Sequence, residues 1–375
     1  MVTVKPISTS RSDLRKFVKF GVDLYRDNPC YVPPLRTDDI NTLTPSKNPA
    51  FDFCEAQSFM AYRDGKPVGR ITGIINSVEN ERCNSRSMRF GFLDFIDDAE
   101  VADALFKAAG DWGRSKGMDS IVGPLGFTDM DHEGMLTFGY DEVGTMATIY
   151  NYPYYVDHMK RMGFEKEAEW HEFRMVVPPE VPEKYTRIAE IVKRRNNLRV
   201  LKYTSRKRVK KEYGEALFNL INEAYDKLYG YCPLTPRQIQ YYIKMYLGIL
   251  NLELLTLIVD EKDQLVGVGI SIQSFSAALQ KSRGRLFPFG WWHLLRALRG
   301  KSDGVDLLLI AVKPEYQNRG VNALLFTDLI PYFNKNHFKF AESNPELADN
   351  AKVQEQWQYF ETRQHRRRCT WRKPL

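Results

Sequence analysis

Residues 312–326, VKPEYQNRGVNALLF, follow the apolar run VDLLLIA (305–311) and lead into TDLIPYF (327–333). The pattern predicts a strand ending near Val312 and a helix starting near Gly320. Gly320 permits a tight entry, and the N–H groups of a first helical turn have no partner inside the helix. Such a helix start carries a partial positive charge and suits phosphate oxygens, with Arg319 and Lys313 close by in sequence. Many strand-to-helix turns contain a glycine, so the stretch has to be read with its surroundings.

Upstream, LLTLIVDEKDQLVGVGISI (254–272) reads as a hairpin, and SFMAYRDGKPVGRITGII (58–75) is a second one, turning at Asp64-Gly65. Val266-Gly267 repeats Val68-Gly69, and Ile310 in DLLLIAV matches Leu93 in FGFLDFI. Helices and strands recur in the same order on either side of PPEVPEKY (178–185), which reads as a linker. The expectation is an α/β (α+β) chain of two tandem units, 1–183 and 184–375, each a mixed, mainly antiparallel sheet flanked by helices. Extra length in the second copy falls on 275–302. The first copy's counterpart of the opening stretch, LDFIDDAEVADALF, has no glycine and carries Asp97, Asp98 and Glu100. Carboxylates there repel a phosphate-bearing ligand.

Element order and loop together resemble the GNAT superfamily of acyl-CoA N-acyltransferases, whose pyrophosphate motif is [Q/R]-x-x-G-x-[G/A] after a strand and Val-x-Pro. Val312-Lys313-Pro314 precedes Gln317-Asn318-Arg319-Gly320-Val321-Asn322; Gln317 and Gly320 match, and Asn322 replaces the usual Gly or Ala. The stretches DNPCYVPPLRTD, KNPAF, YRDGKPVGRI and YNYPYY are similar to those of bacterial double-GNAT proteins. The resemblance implies acyl-CoA (acetyl or longer) as co-substrate, no metal, and a CoA site in the second copy alone. Ile310 and Val312 would face the thioester, Glu342 would serve as base, and Tyr359 would protonate the thiolate. Edge-of-strand or packing roles for Glu342 and Tyr359 stand beside these.

GPLGFTDMDHEGMLTFGYDE (123–142) is the densest cluster of functional residue types. Its D-x-D-H-E lacks the ligand spacing of zinc helices and of calcium loops. It is expected to line an acceptor pocket through Asp131, His132 and Glu133, or to be a structural loop. The insertion SRGRLFPFGWWHLLRALRGK (282–301) mixes Phe287, Phe289, Trp291 and Trp292 with Arg283, Arg285, Arg296, Arg299 and Lys301. It suits a lipid headgroup surface or a cap over a groove.

The five cysteines are scattered and form no CxxC, which fits a reducing cytoplasm, with peripheral contact at the inner membrane through 283–301. The start reads as no signal peptide, and no stretch of about 18 apolar residues predicts a spanning helix. Basic runs at 192–214 and 363–375 suit phosphate-bearing ligands, but no nucleic-acid module accompanies them. The leading reading is an N-acyltransferase acting on a small or lipidic amine. An aminoacyl-tRNA-dependent transferase and a non-catalytic binding protein of the same fold are the rivals.

Overall fold

Asp64 and Gly65 take φ of 50° and 75°, the left-handed pair of a tight hairpin turn. They join β2 (Cys54–Arg63) to β3 (Lys66–Asn76) in the first unit. β1 (Val2–Pro6) pairs with β2 and β4 (Ser87–Phe95) with β3, all antiparallel, whereas β5 (Ser120–Gly123) runs parallel to β4. The computed structural model describes residues 1–248, 250–299, 302–350 and 354–375.

Helices α1 (Arg11–Leu24), α2 (Arg36–Thr42), α3 (Ser77–Cys83), α4 (Ala99–Ser115) and α5 (Tyr154–Arg161) accompany this sheet, with the short strand β6 (Met135–Phe138) before α5. α4 sits close to β3 because Gly69 has no side chain. A Cβ there would lie 2.7 Å from Leu105 and 3.0 Å from Val101. Phe90, Phe95, Leu105, Phe106 and Trp371 fill the core beneath it.

The second unit repeats the plan. After β7 (Glu165–Val176) and α6 (Glu183–Arg195) come β8 (Arg199–Leu201), α7 (Arg206–Tyr225) and α8 (Pro236–Tyr246). β9 (Leu255–Val259) and β10 (Leu265–Gln273) form its hairpin, followed by α9 (Ser276–Ser282) and α10 (Gly290–Leu298) of the insertion. β11 (Gly304–Val312), α11 (Asn322–Lys335) and β12 (Phe340–Ser343) complete the repeat, and β13 (Glu346–Leu347) and β14 (Thr362–Pro374) close the chain. Within this unit β11 and β12 are parallel and the other neighbours antiparallel. Leu325, Phe326 and Phe333 of α11 pack with Ile258, Val266 and Trp357.

The two compact units are not the halves 1–183 and 184–375. One comprises Met1–His171, Phe275–Arg296 and His365–Leu375; the other comprises Glu172–Ser274 and Ala297–Gln364. The late segments join the first unit through their bonds. Trp371–Pro374 pairs antiparallel with β5, and Arg367–Cys369 with β6, so the end of the chain completes the first sheet. Sequence order conceals this, because a terminal strand carries no mark of which sheet it will extend.

Candidate active site

β10 and β11 pair regularly from Gly267 opposite Val312 to Ile270 opposite Leu309. Ser271 then pairs with Leu307, leaving Leu308 as the extra residue of a β-bulge. A bulge bends its strand, and β11 pairs with β12 only over Gly304–Leu307. Beyond that point the edge of β11 away from β10 has no strand beside it among the described pairings. Three side chains meet the carbonyls on this edge. Asn344 Nδ2 donates to Leu308 O at 2.7 Å, Tyr225 OH to Ile310 O at 2.9 Å and Gln317 Nε2 to Val312 O at 2.9 Å. The N–H and C=O of one strand residue point the same way. Ile310 and Val312 therefore turn their N–H groups away from β10, to the same side as those carbonyls.

Glu346 stands at this place. Trp357 Nε1 donates to both carboxylate oxygens at 3.1 Å. Burial pushes the carboxyl up to about 8, against the opposing indole bond. Tyr225 feels the same charge: burial raises its phenol and the nearby Glu346 adds to that. A high-pKa carboxyl, a phenol and two strand-edge N–H groups thus share one location. No motif in the sequence marks Glu346. Its only signal is its position just past Asn344, where the strand after α11 has ended.

The loop leading to α11 is exposed from Gln317 to Gly320. Asn318 and Gly320 take φ of 60° and 79°, the left-handed conformation that backbone anion nests use. Val321 caps α11 without a side-chain hydrogen bond. Gln317 folds back on Val312 O, as described, and Asn322 Nδ2 lies 3.4 Å from Gln356 Oε1. Arg319 leans over the Tyr316 ring at 5.9 Å, and Lys313 pairs with Glu315 at 3.2 Å.

Glu342 and Tyr359 have other neighbours. Glu342 is buried on the paired part of β12, opposite Asp306 and Arg174, with Oε1 3.7 Å from Arg174 Nη1. The ring of Tyr359, at the end of a 3-10 turn (Glu355–Tyr359), lies 3.7 Å from Lys184 Nζ and packs edge-on to Tyr185.

Asp131, His132 and Glu133 belong to the first unit, between β5 and β6. Phe127 and Thr128 donate backbone N–H to Asp131 Oδ2 at 2.9 and 3.1 Å, and burial pushes that carboxyl up to about 6. Burial lifts Glu133 to about 7, with Arg89 opposing and Asp131 adding. His132 Nε2 is 2.9 Å from Met146 O, and burial lowers its pKa. Among the described residues no group of three or more His, Cys, Asp or Glu is placed to hold a metal ion.

No family model matches the chain. A Caulobacter vibrioides protein named bacterial ceramide synthase is 27% identical over 324 residues, 84% of this chain and 82% of its own length. Protein YghO of Escherichia coli is 28% identical over 323 residues, 82% of this chain and 78% of its own. Among solved structures, a tandem GNAT protein from the clavulanic acid biosynthesis pathway matches with a TM-score of 0.59 at 11% identity. That match covers all of this chain and 98% of the other. A GCN5-related N-acetyltransferase from Sphaerobacter thermophilus matches at 0.53 and 9% identity, over all of this chain and 95% of its own. With a bulged fourth strand parting from a parallel fifth, and the same order of elements twice, the chain is a tandem protein of the GNAT fold, the fold of the acyl-CoA N-acyltransferases.

Proposed function

We propose that the second unit is an acyl-CoA-dependent N-acyltransferase with Glu346 as its base, acting on a lipidic amine. The observation that carries this is the open edge of β11, where the Ile310 and Val312 N–H groups lie by a carboxyl raised to about 8. A thioester carbonyl against those N–H groups gains hydrogen bonds as its oxygen becomes negative. The acceptor nitrogen attacks the carbonyl carbon, the C–N bond forms, and Glu346 takes the proton. The C–S bond then breaks and the thiolate leaves, taking its proton from solvent; Tyr359, which lies against Lys184 and Tyr185, does not supply it. The exposed loop Gln317–Asn322 and the unblocked start of α11 receive the pyrophosphate.

A ceramide is the amide of a long-chain amino alcohol, and the name of the Caulobacter relative supports an acceptor of that class. The test is to supply acyl-CoAs from acetyl to long-chain with either a long-chain amino alcohol or a short soluble amine. Thiol release and the mass of the amide are then measured. Amide formation with the long-chain acceptor, lost in Glu346→Gln, is expected. Binding of CoA without thiol release from any acyl-CoA would return the chain to a non-catalytic role.

A further inference from the structure

The insertion between β10 and β11 packs with the first unit from Phe275 to Arg296, and its base is firmly tied there. Ser276 Oγ donates to Gly144 O at 2.9 Å, and Gln280 Nε2 to Pro29 O and Tyr31 O at 2.7 and 3.1 Å. Arg36 donates its N–H to Gly284 O at 2.9 Å and its Nε to Arg283 O at 3.1 Å. A Cβ on Gly284, where φ is 67°, would lie 2.1 Å from Pro34 O, so a glycine is needed for this close passage.

The far end is bare. Phe287 and Phe289 are 77% and 73% exposed, and Trp291 and Trp292 are 46% and 47% exposed. A cap over a groove would bury these rings. The turn that presents them is internally braced: Trp291 donates its N–H to Leu286 O at 2.8 Å and its Nε1 to Pro288 O at 3.0 Å. The two indoles meet edge to face at 6.1 Å. Rings already fixed in place lose little conformational freedom when another surface covers them.

Charge indicates what that surface is. From Phe275 to Arg299 the sequence holds Lys281, Arg283, Arg285, Arg296 and Arg299, with no Asp or Glu. Arg283, Arg285 and Arg296 are exposed on both sequence flanks of the aromatic tip; Lys301 lies outside the described residues. Protein interfaces deplete charge at their cores. A collar of one sign around aromatic rings matches instead a layer of phosphate headgroups over hydrocarbon. Rings enter the acyl boundary, while guanidinium groups stay at the phosphates.

We propose that the tip Arg283–Arg296 inserts into the surface of an anionic phospholipid bilayer, holding the chain there by an aromatic anchor. Among the described residues no helix is long and apolar enough to cross a membrane. This deepens the reading of a lipidic acceptor, but its test needs neither acyl-CoA nor acceptor, so the two can fail separately.

The experiment is flotation of the full chain with phosphatidylcholine vesicles, with and without phosphatidylglycerol. Flotation at low salt with the phosphatidylglycerol vesicles is expected, declining as salt screens the arginines. Phe287→Ser with Phe289→Ser should weaken it about tenfold or more through lost apolar burial, with the melting temperature unchanged because both rings are exposed. Arg283→Gln with Arg285→Gln should remove most of the preference for the anionic lipid. Absence of flotation at low salt, or flotation unchanged in the double-serine variant, would overturn the proposal. So would a lipid-free dimer that the double-serine variant splits, since the rings would then cover a second copy.

Discussion

Phe95 and Val312 hold the same place in the two units, opposite Gly69 and Gly267 of the preceding strand, and the bulge recurs just before each. In the first unit this strand edge is closed. Phe95 donates its N–H to Tyr155 OH at 3.0 Å, Tyr154 OH donates to Phe95 O at 2.5 Å, and Tyr155 OH is 2.7 Å from Tyr25 OH. Tyr25 itself donates to Asp94 at 2.9 Å. In the second unit the bonds among the described residues meet the carbonyls of Leu308, Ile310 and Val312, on the side where the Ile310 and Val312 N–H groups also point. Tyr25 and Tyr31 recur as Tyr225 and Tyr231, the rings tilted together at 4.7 Å in the first unit and edge to face at 5.8 Å in the second. Tyr225, however, bonds the strand edge where Tyr25 bonds a carboxylate.

The helix starts differ in the same sense. Asp98 caps α4 by accepting from Val101 N–H at 3.1 Å, and Arg63 binds Asp98 and Glu100 at 2.7 and 2.8 Å. α11 begins with no side-chain cap. One copy meets its strand edge and its helix start with its own side chains, while the other leaves its helix start without a side-chain cap.

The sharpest break in this comparison is Glu346→Gln, which keeps the shape and removes the base. Transfer should fall by roughly 10²–10⁴, with CoA affinity unchanged in calorimetry. In the wild type kcat/KM should rise with pH through about 8 as the carboxyl ionises, and the variant should lack that limb. Stability gives an independent readout. The folded value lies above the free value of 4.5, so the protonated form is favoured by folding. That stability is complete below 4.5 and lost as pH rises through about 8. The glutamine variant should therefore melt higher than wild type above pH 8, and an equal melting point there would refute the burial of this charge.

Next in size is Gly320→Asp, which places a carboxylate in the exposed loop. CoA affinity should drop about tenfold or more through repulsion, whereas Asp98→Asn in the closed copy should leave it unchanged. Part of any loss is strain. Gly320 sits at φ 79°, and a Cβ would lie 2.9 Å from Ile188 and 3.1 Å from Val192 of α6. Gly320→Ala isolates that part; equal losses in Ala and Asp would remove phosphate from the explanation.

Much of this was legible in the sequence for local reasons. Asp64-Gly65 announces a hairpin, and Val68-Gly69 recurs as Val266-Gly267; at Gly69 the reason is a close helix, at Gly267 the nearest neighbour is Ile258 of the adjoining strand. The contrast between Gly320 and the Asp98 turn was readable from residue type alone. What escaped depends on distant pairing. Nothing in RQHRRRCTWRKPL tells that Trp371 will lie opposite Gly123 in the first sheet. Glu346 escaped because its pKa comes from Trp357 and burial, neither of which has a spacing rule. Glu342 drew attention by ending a strand, yet its partner Arg174 stands on β7, far away in sequence.

The smallest effects separate the two tyrosines that touch the matching edges. Tyr155→Phe removes the acceptor of the Phe95 N–H in a fully packed place, where Tyr155 and Phe95 are 1% and 0% exposed. An N–H left buried without a partner costs about 1–3 kcal/mol, so the melting temperature should fall while transfer by the second unit continues at its usual rate. Tyr225→Phe frees the Ile310 carbonyl, which keeps a second lone pair on an edge with no strand beside it among the described pairings, so water can replace the phenol. Its stability loss should be about 0.5–1.5 kcal/mol, the smaller of the two, yet it should slow transfer because the edge that holds the thioester has lost a brace. Each variant needs both a melting curve and a turnover rate. If Tyr155→Phe slows transfer and Tyr225→Phe does not, the open and closed assignments of the two edges must be exchanged.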